Sequence, residues 1–139
     1  MKTPDSVIEA NSQLVTDYYA EASSGSLEGL YRFYTDDVVL KTPGRNFMSG
    51  NHIGHEGVRE YLEGNTSQFT GGVLPVTEVH ATVVDATHVV VIHTSTFELP
   101  GKSPFAADRV VVYRIRDQKF SSIVLYEQDQ YGLDAALEP

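Results

Sequence analysis

The change of hydrophobic period at Gly71-Gly72 constrains this chain more than any other feature of its sequence. Ahead of it, apolar residues recur at near-helical spacing; behind it, they alternate with polar ones and are rich in β-branched side chains. The first stripe is Val7, Ile8, Leu14, Val15, Tyr18, Tyr19 and Ala22. It reads as a helix opened by Asp5 or Ser6 and ended by Ser23-Ser24-Gly25-Ser26. Leu27, Leu30, Tyr31, Phe33 and Tyr34 form a second, short stripe, and Val58, Tyr61 and Leu62 share one face of a third. Between these, Val38 to Lys41 reads as a short strand broken by Thr42-Pro43-Gly44, with Phe47 to Ser49 a further strand fragment. Beyond the glycines, strands are expected near Val76–Val84, His88–Leu99, Phe105–Arg116 and Phe120–Asp129. Asp85-Ala86-Thr87, Pro100-Gly101-Lys102 and Asp117-Gln118 are the turn-like joints. Helices first and a meander of long strands afterwards predict an α+β fold, with helices on one face of an antiparallel sheet. Such a sheet curls, and helices across its concave face leave either a packed core or a pocket.

At 139 residues the chain has room for one domain, spanning 1–139, large enough to fold around its own core. It has no cysteine, which excludes disulfides, thiolate metal sites and a cysteine nucleophile. Asp and Glu outnumber Lys and Arg by 19 to 10, a net charge of -9, and the basic residues are scattered. A phosphate backbone or an anionic membrane surface would repel such a chain, so neither nucleic acid nor membrane is an expected partner. The first residues, MKTPDSVIEANSQ, lack the apolar core of a secretory signal, and no apolar run is long enough to span a bilayer. The expected compartment is therefore the cytoplasm, where the sequon Asn65-Thr66-Ser67 has no meaning.

Three stretches carry a family likeness. They are Gly25-Ser26-Leu27-Glu28-Gly29-Leu30 through Tyr34-Thr35-Asp36-Asp37-Val38, then Thr42-Pro43-Gly44 with Gly50, Gly54 and Val58, and finally Tyr126 with Asp129-Gln130-Tyr131-Gly132-Leu133-Asp134. In this order and spacing the chain resembles the SnoaL-like, ketosteroid isomerase-like branch of the nuclear-transport-factor-2-like superfamily. The resemblance implies a cone-shaped α+β barrel: three N-terminal helices packed on the concave face of a strongly curved, mainly antiparallel sheet. It also implies an apolar cavity, no cofactor, and a homodimer joined through the sheet's outer face.

Matched without gaps to ketosteroid isomerases, Tyr18 falls on the oxyanion tyrosine and Tyr34 on a supporting tyrosine, whereas Thr42 and Val111 replace the two acids. A ketosteroid isomerase is therefore not expected. Tyr18 still offers a phenol that would donate to developing negative charge in an apolar cavity; the alternative is helix core with a satisfied hydroxyl. On the last strand the resemblance turns Ile123, Leu125 and Glu127 toward the cavity, where burial would raise the Glu127 pKa toward acid–base duty. Asp129, nearer the rim, is the second carboxyl; the alternatives are solvated strand-end acids or a cap for the C-terminal segment. His93 shares a face with Val91, Ser95 and Phe97 and titrates near neutrality, either as a proton carrier or as a hydrogen-bonded core residue.

Alternation puts Arg109, Val111, Tyr113 and Ile115 on the inner face of their strand. Asp108-Arg109 brings to mind the Asp-Arg-Asp set of the family's epoxide hydrolases, but the final-strand acid of that set matches Leu125. The pair then reads as a surface ion pair. His52, His55 and Glu56 lie without helical ligand spacing, so no metal is expected. Phe47, Tyr61 and Phe97 are expected apolar walls, with Tyr34, Arg109, Val111, Tyr113 and Leu125 also against the substrate. The function this implies is cofactor-independent isomerisation or cyclisation, by proton transfer, of a small apolar carbonyl compound of polyketide or terpenoid type. Tyr18 would hold the oxygen, and Glu127, Asp129 or His93 would move the proton. The alternatives are a ligand-binding or dimeric interaction module, or an epoxide hydrolase.

Overall fold

The computed structural model describes residues 4–25, 27–72 and 74–139, apart from the side chains of Pro4 and Val76. Ser26, part of the run expected to end the first helix, lies outside them. The first stripe forms α1 (Pro4–Ser23), with Val15 fully packed and Gly25 turning the chain away at φ +83°. Asn11, buried in the middle of α1, donates from Nδ2 to the carbonyls of Asp85 and Ala86, so a satisfied amide ties the helix to a sheet turn.

The second stripe is realised as a 3-10 segment, Glu28–Phe33, which buries Leu30, Tyr31 and Phe33. The chain runs directly from it into β1 (Tyr34–Thr42), twice as long as the expected strand. A bulge between Tyr34 and Val39 explains the shortfall: it leaves Asp36 and Asp37 exposed side by side and hides the period of two. Phe47 to Ser49 is a turn, not a strand, because Asn46 Oδ1 accepts the Met48 amide and its carbonyl accepts that of Ser49. The strand follows it as β2 (Gly50–Ile53), pairing antiparallel with β1, and α2 (Gly54–Thr66) comes next.

β3 (Val76–Val84), β4 (His88–Phe97), β5 (Phe105–Arg116) and β6 (Lys119–Glu127) complete the meander within two residues of expectation. The six strands form one curved, unclosed sheet in the order β2-β1-β6-β5-β4-β3, antiparallel except where β1 meets β6. A seven-residue helix, α3 (Gln130–Ala136), stands where only a tail was expected. Asp129 opens it by accepting the Gly132 amide, and Leu133 and Leu137 pack with Met48, Phe69, Phe97 and Ala107. The architecture is thus the expected cone-shaped α+β barrel, with a 3-10 segment in place of the middle helix. Among the described residues no helix is long and apolar enough to cross a membrane.

Candidate functional site

The sheet, α1 and α2 border a half-open cavity of about 700 Å³. β4, β5 and β6 supply its floor through alternate inner-face residues, and α1 supplies Tyr18 and Tyr19. Tyr61 and Asn65 reach it from α2. No Asp or Glu lines it among the described residues.

The floor is built in cross-strand rows. Val89, Tyr113 and Ile123 stand opposite one another, as do Val91, Val111 and Leu125. The next row is His93, Arg109 and Glu127, three polar side chains across three adjacent strands. His93 and Arg109 are each about 95% buried and both line the cavity. Arg109 donates from Nε to Glu127, whose side chain is only 1% exposed, and its guanidinium lies 5.2 Å from the centre of the Phe97 ring. Within this row Arg109 Nη2, Glu127 Oε2 and His93 Nε2 are buried with no protein partner. Buried polar atoms are normally satisfied, so three in one row mark a place where stability yields to another demand.

The electrostatics follow from that burial. Desolvation, reinforced by the charges of Arg109 and His80, lowers the His93 pKa to about 4, so the ring is neutral at pH 7. Burial pushes the Glu127 carboxyl above the usual range, although the Arg109 charge and hydrogen bond pull it back. Tyrosines pair across the cavity wall, Tyr18 with Tyr34 at 2.6 Å and Tyr19 with Tyr113 at 2.7 Å. Burial raises all four phenols, Tyr19 to about 12, which keeps them protonated donors.

Most of the expected site residues gather here: Tyr18, Tyr61, His93, Phe97, Arg109, Val111, Tyr113 and Leu125 line the cavity. Tyr34 stands behind Tyr18, bonded to its hydroxyl. Phe47 is 39% exposed and packs against Phe69 instead of lining the cavity. Glu127 is buried on the inner face, but behind Arg109 and off the cavity wall, where Asp134 also acts on it. Asp129 caps α3. Asp108 and Arg109 are no surface ion pair: Asp108 takes the Thr94 hydroxyl on the outer face, and Arg109 is buried on the inner one. His52 and His55 meet the backbone carbonyls of Met48 and Tyr34. Sequence reasoning missed the Arg109–Glu127 pair and passed over Tyr19 and Asn65, the last carrying a buried Nδ2 without a protein partner.

The curved α+β cone with a pocket on its concave face is one class of fold, and the sequence agrees with it. The chain belongs to the SnoaL-like domain family, whose model matches residues 15–123. No curated protein sequence matches it. Among solved structures it is similar to Bal32a from a soil-derived mobile gene cassette, at 20% identity and a TM-score of 0.86, covering 95% of this chain and 99% of that one. TerC, co-crystallised with polyporic acid, is 20% identical with a TM-score of 0.82, covering 94% and 99%. A proposed polyketide cyclase from Sinorhizobium meliloti is 18% identical with a TM-score of 0.65, covering 82% and 94%. At these identities the likeness concerns the fold.

Proposed function

We propose that this protein is a cofactor-independent isomerase or cyclase. Its substrate is a small, apolar, enolisable carbonyl compound of polyketide or terpenoid type. The observation that carries this reading is that His93 and Arg109, each with a buried side-chain nitrogen that has no protein partner, line a mainly apolar cavity. The SnoaL-like family, TerC co-crystallised with polyporic acid and the proposed polyketide cyclase point the same way.

In this mechanism the substrate carbonyl oxygen accepts from Arg109 Nη2 and from Tyr18. Tyr34 is buried off the cavity, so it can donate to Tyr18 and leave the Tyr18 proton for the substrate. The neutral His93 ring removes a proton from the adjacent carbon, and the electron pair moves onto the oxygen as an enolate. In isomerisation His93 returns the proton at the far carbon of the conjugated system. In cyclisation the enolate carbon attacks a second carbonyl of the same molecule, and His93 protonates the new alkoxide. The enolate charge offsets that of Arg109, one of the causes of the low His93 pKa, so the ring becomes a better base as the reaction proceeds. Glu127 aims the guanidinium from behind and moves no proton itself, and Asp129 serves as a helix cap.

An epoxide hydrolase would need two carboxylates converging on one water, and no carboxylate lines this cavity among the described residues. A second copy fits the outer face of the sheet, where Val83, Ile92 and Tyr126 are exposed on one surface with the half-buried Val90, Val110, Val112 and Val124. The test is incubation with a panel of apolar enones and β-diketones in deuterated water, followed by NMR. The expected result is exchange at the α-carbon for at least one compound, falling by about 10²–10⁴-fold in His93→Gln. Binding without exchange or conversion across the panel would make the protein a carrier and overturn the enzyme reading.

A further inference from the structure

The proton-moving role of His93 depends on which ring nitrogen carries the hydrogen, and a short chain of hydroxyls on β3 and β4 answers that. His93 Nδ1 lies 3.2 Å from Ser95 Oγ, Ser95 Oγ lies 3.1 Å from Thr77 Oγ1, and Thr77 Oγ1 lies 3.5 Å from the Pro75 carbonyl. Each hydroxyl has one proton to give. The carbonyl at the end can only accept, so the Thr77 proton goes to Pro75 O. The Ser95 proton then goes to Thr77, and Ser95 Oγ is left to accept from Nδ1–H. This arrangement makes three hydrogen bonds. Reversing it, with Ser95 donating to Nδ1, makes only two.

We propose that Ser95 and Thr77 are positioning residues that hold His93 in its Nδ1–H tautomer, so that the cavity is offered a lone pair at Nε2 and the substrate must bring a proton to it. This rests on the proposed proton-transfer function and deepens it: the resting enzyme takes a proton first and donates one only afterwards. Substrates that need protonation before any abstraction, such as a leaving alcohol awaiting a general acid, are excluded as first partners.

The surroundings of the ring agree with this tautomer. β5 presents the Arg109 guanidinium directly across from His93, and β3 presents Val79 in the same row. β3 also carries His80, bonded to Thr94 on the outer face, and α1 contributes the Tyr19 ring at 6.2 Å. An Nε2–H would add a third unpartnered donor to the buried Arg109 Nη2 and Asn65 Nδ2 of the residues lining the cavity. A lone pair there sets a basic nitrogen beside these donors, which is what a carbonyl with an acidic neighbouring C–H requires.

The test needs no substrate: two-bond ¹H–¹⁵N NMR of the imidazoles at neutral pH, with His93 assigned by its loss in His93→Gln. The expected spectrum has a pyrrole-like Nδ1 and a pyridine-like Nε2 for His93. Ser95→Ala should move both shifts toward the opposite tautomer, Thr77→Val should do so in part, and Ser95→Thr should restore the wild-type pattern. Thr77 is exposed, so its variant keeps the test available should Ser95→Ala fail to fold. A protonated Nε2 in the wild type, or no change of tautomer in the variants, would overturn the assignment. Because no compound is turned over here, that failure leaves the α-carbon exchange test standing, and the converse also holds.

Discussion

Two neighbouring rows of one sheet face have been put to opposite uses. Val91, Val111 and Leu125 meet across β4, β5 and β6 as a row of buried apolar side chains. One pleat further along the same strands stand the buried His93 and Arg109 and the buried side chain of Glu127, with three polar atoms lacking a protein partner. Backbone geometry is the same in both rows, so only side-chain chemistry differs. The apolar row gains stability from burial, whereas the polar row carries desolvation costs that its single ion pair offsets only in part. The proposed function places its chemistry in the costly row.

Substitutions that separate these rows test the contrast. The largest expected effect on stability is at Glu127. Glu127→Gln leaves the Arg109 charge buried without its counter-ion and should cost about 3–5 kcal/mol in urea unfolding. A cost near zero would mean the pair is solvated and the row is not what it is taken for. Leu125→Ala, in the apolar row, should cost about 2–3 kcal/mol, at the low end for a core leucine because one side already faces the cavity. Because Leu125 also lines the cavity, proton exchange should fall, but far less than in His93→Gln; an equal loss would erase the distinction between the rows.

The pH dependence is of similar size. The folded His93 pKa of about 4 lies below the ordinary 6.5 of an unfolded chain. Between these values the unfolded state binds the proton and the folded state does not, so stability falls as pH drops from about 6.5 to about 4. The full loss from this residue is on the order of 3 kcal/mol. Glu127, with its carboxyl raised, takes up its proton earlier when folded and works against that loss in acid. Melting temperatures of wild type and His93→Gln measured from pH 7 to pH 4.5 should therefore converge or cross on the acid side; parallel curves would count against a buried neutral ring. The smallest effect is expected for Tyr19→Phe, about 1 kcal/mol for the lost bond to Tyr113.

The sequence made the frame legible but not the row. β3 and β5 fall on their expected residues because period-two alternation survives on both. β1 was obscured by its bulge, and α3 by an aspartate that reads equally as strand end or helix cap. The polar row depends on register. Extending the closing pair Arg116–Lys119 without interruption would set Arg109 opposite Tyr126, yet a shift between Arg114 and Ile115 sets it opposite Glu127. His93, Arg109 and Glu127 were therefore each visible as inner-face candidates, while their contact was not. Arg109 and Asp108 are adjacent in sequence and so suggest an ion pair, but alternation along the strand puts them on opposite faces whatever the register.

The central claim is that a neutral histidine waits in a water-poor wall beside a buried guanidinium. An NMR titration of the His93 ring in the free protein measures this directly. The account predicts a pKa of about 4, with the ring neutral throughout the physiological range. A pKa at the ordinary 6.5 or above would place the ring in solvent or against an unseen carboxylate, and would contradict both the proton-transfer mechanism and the division between the two rows.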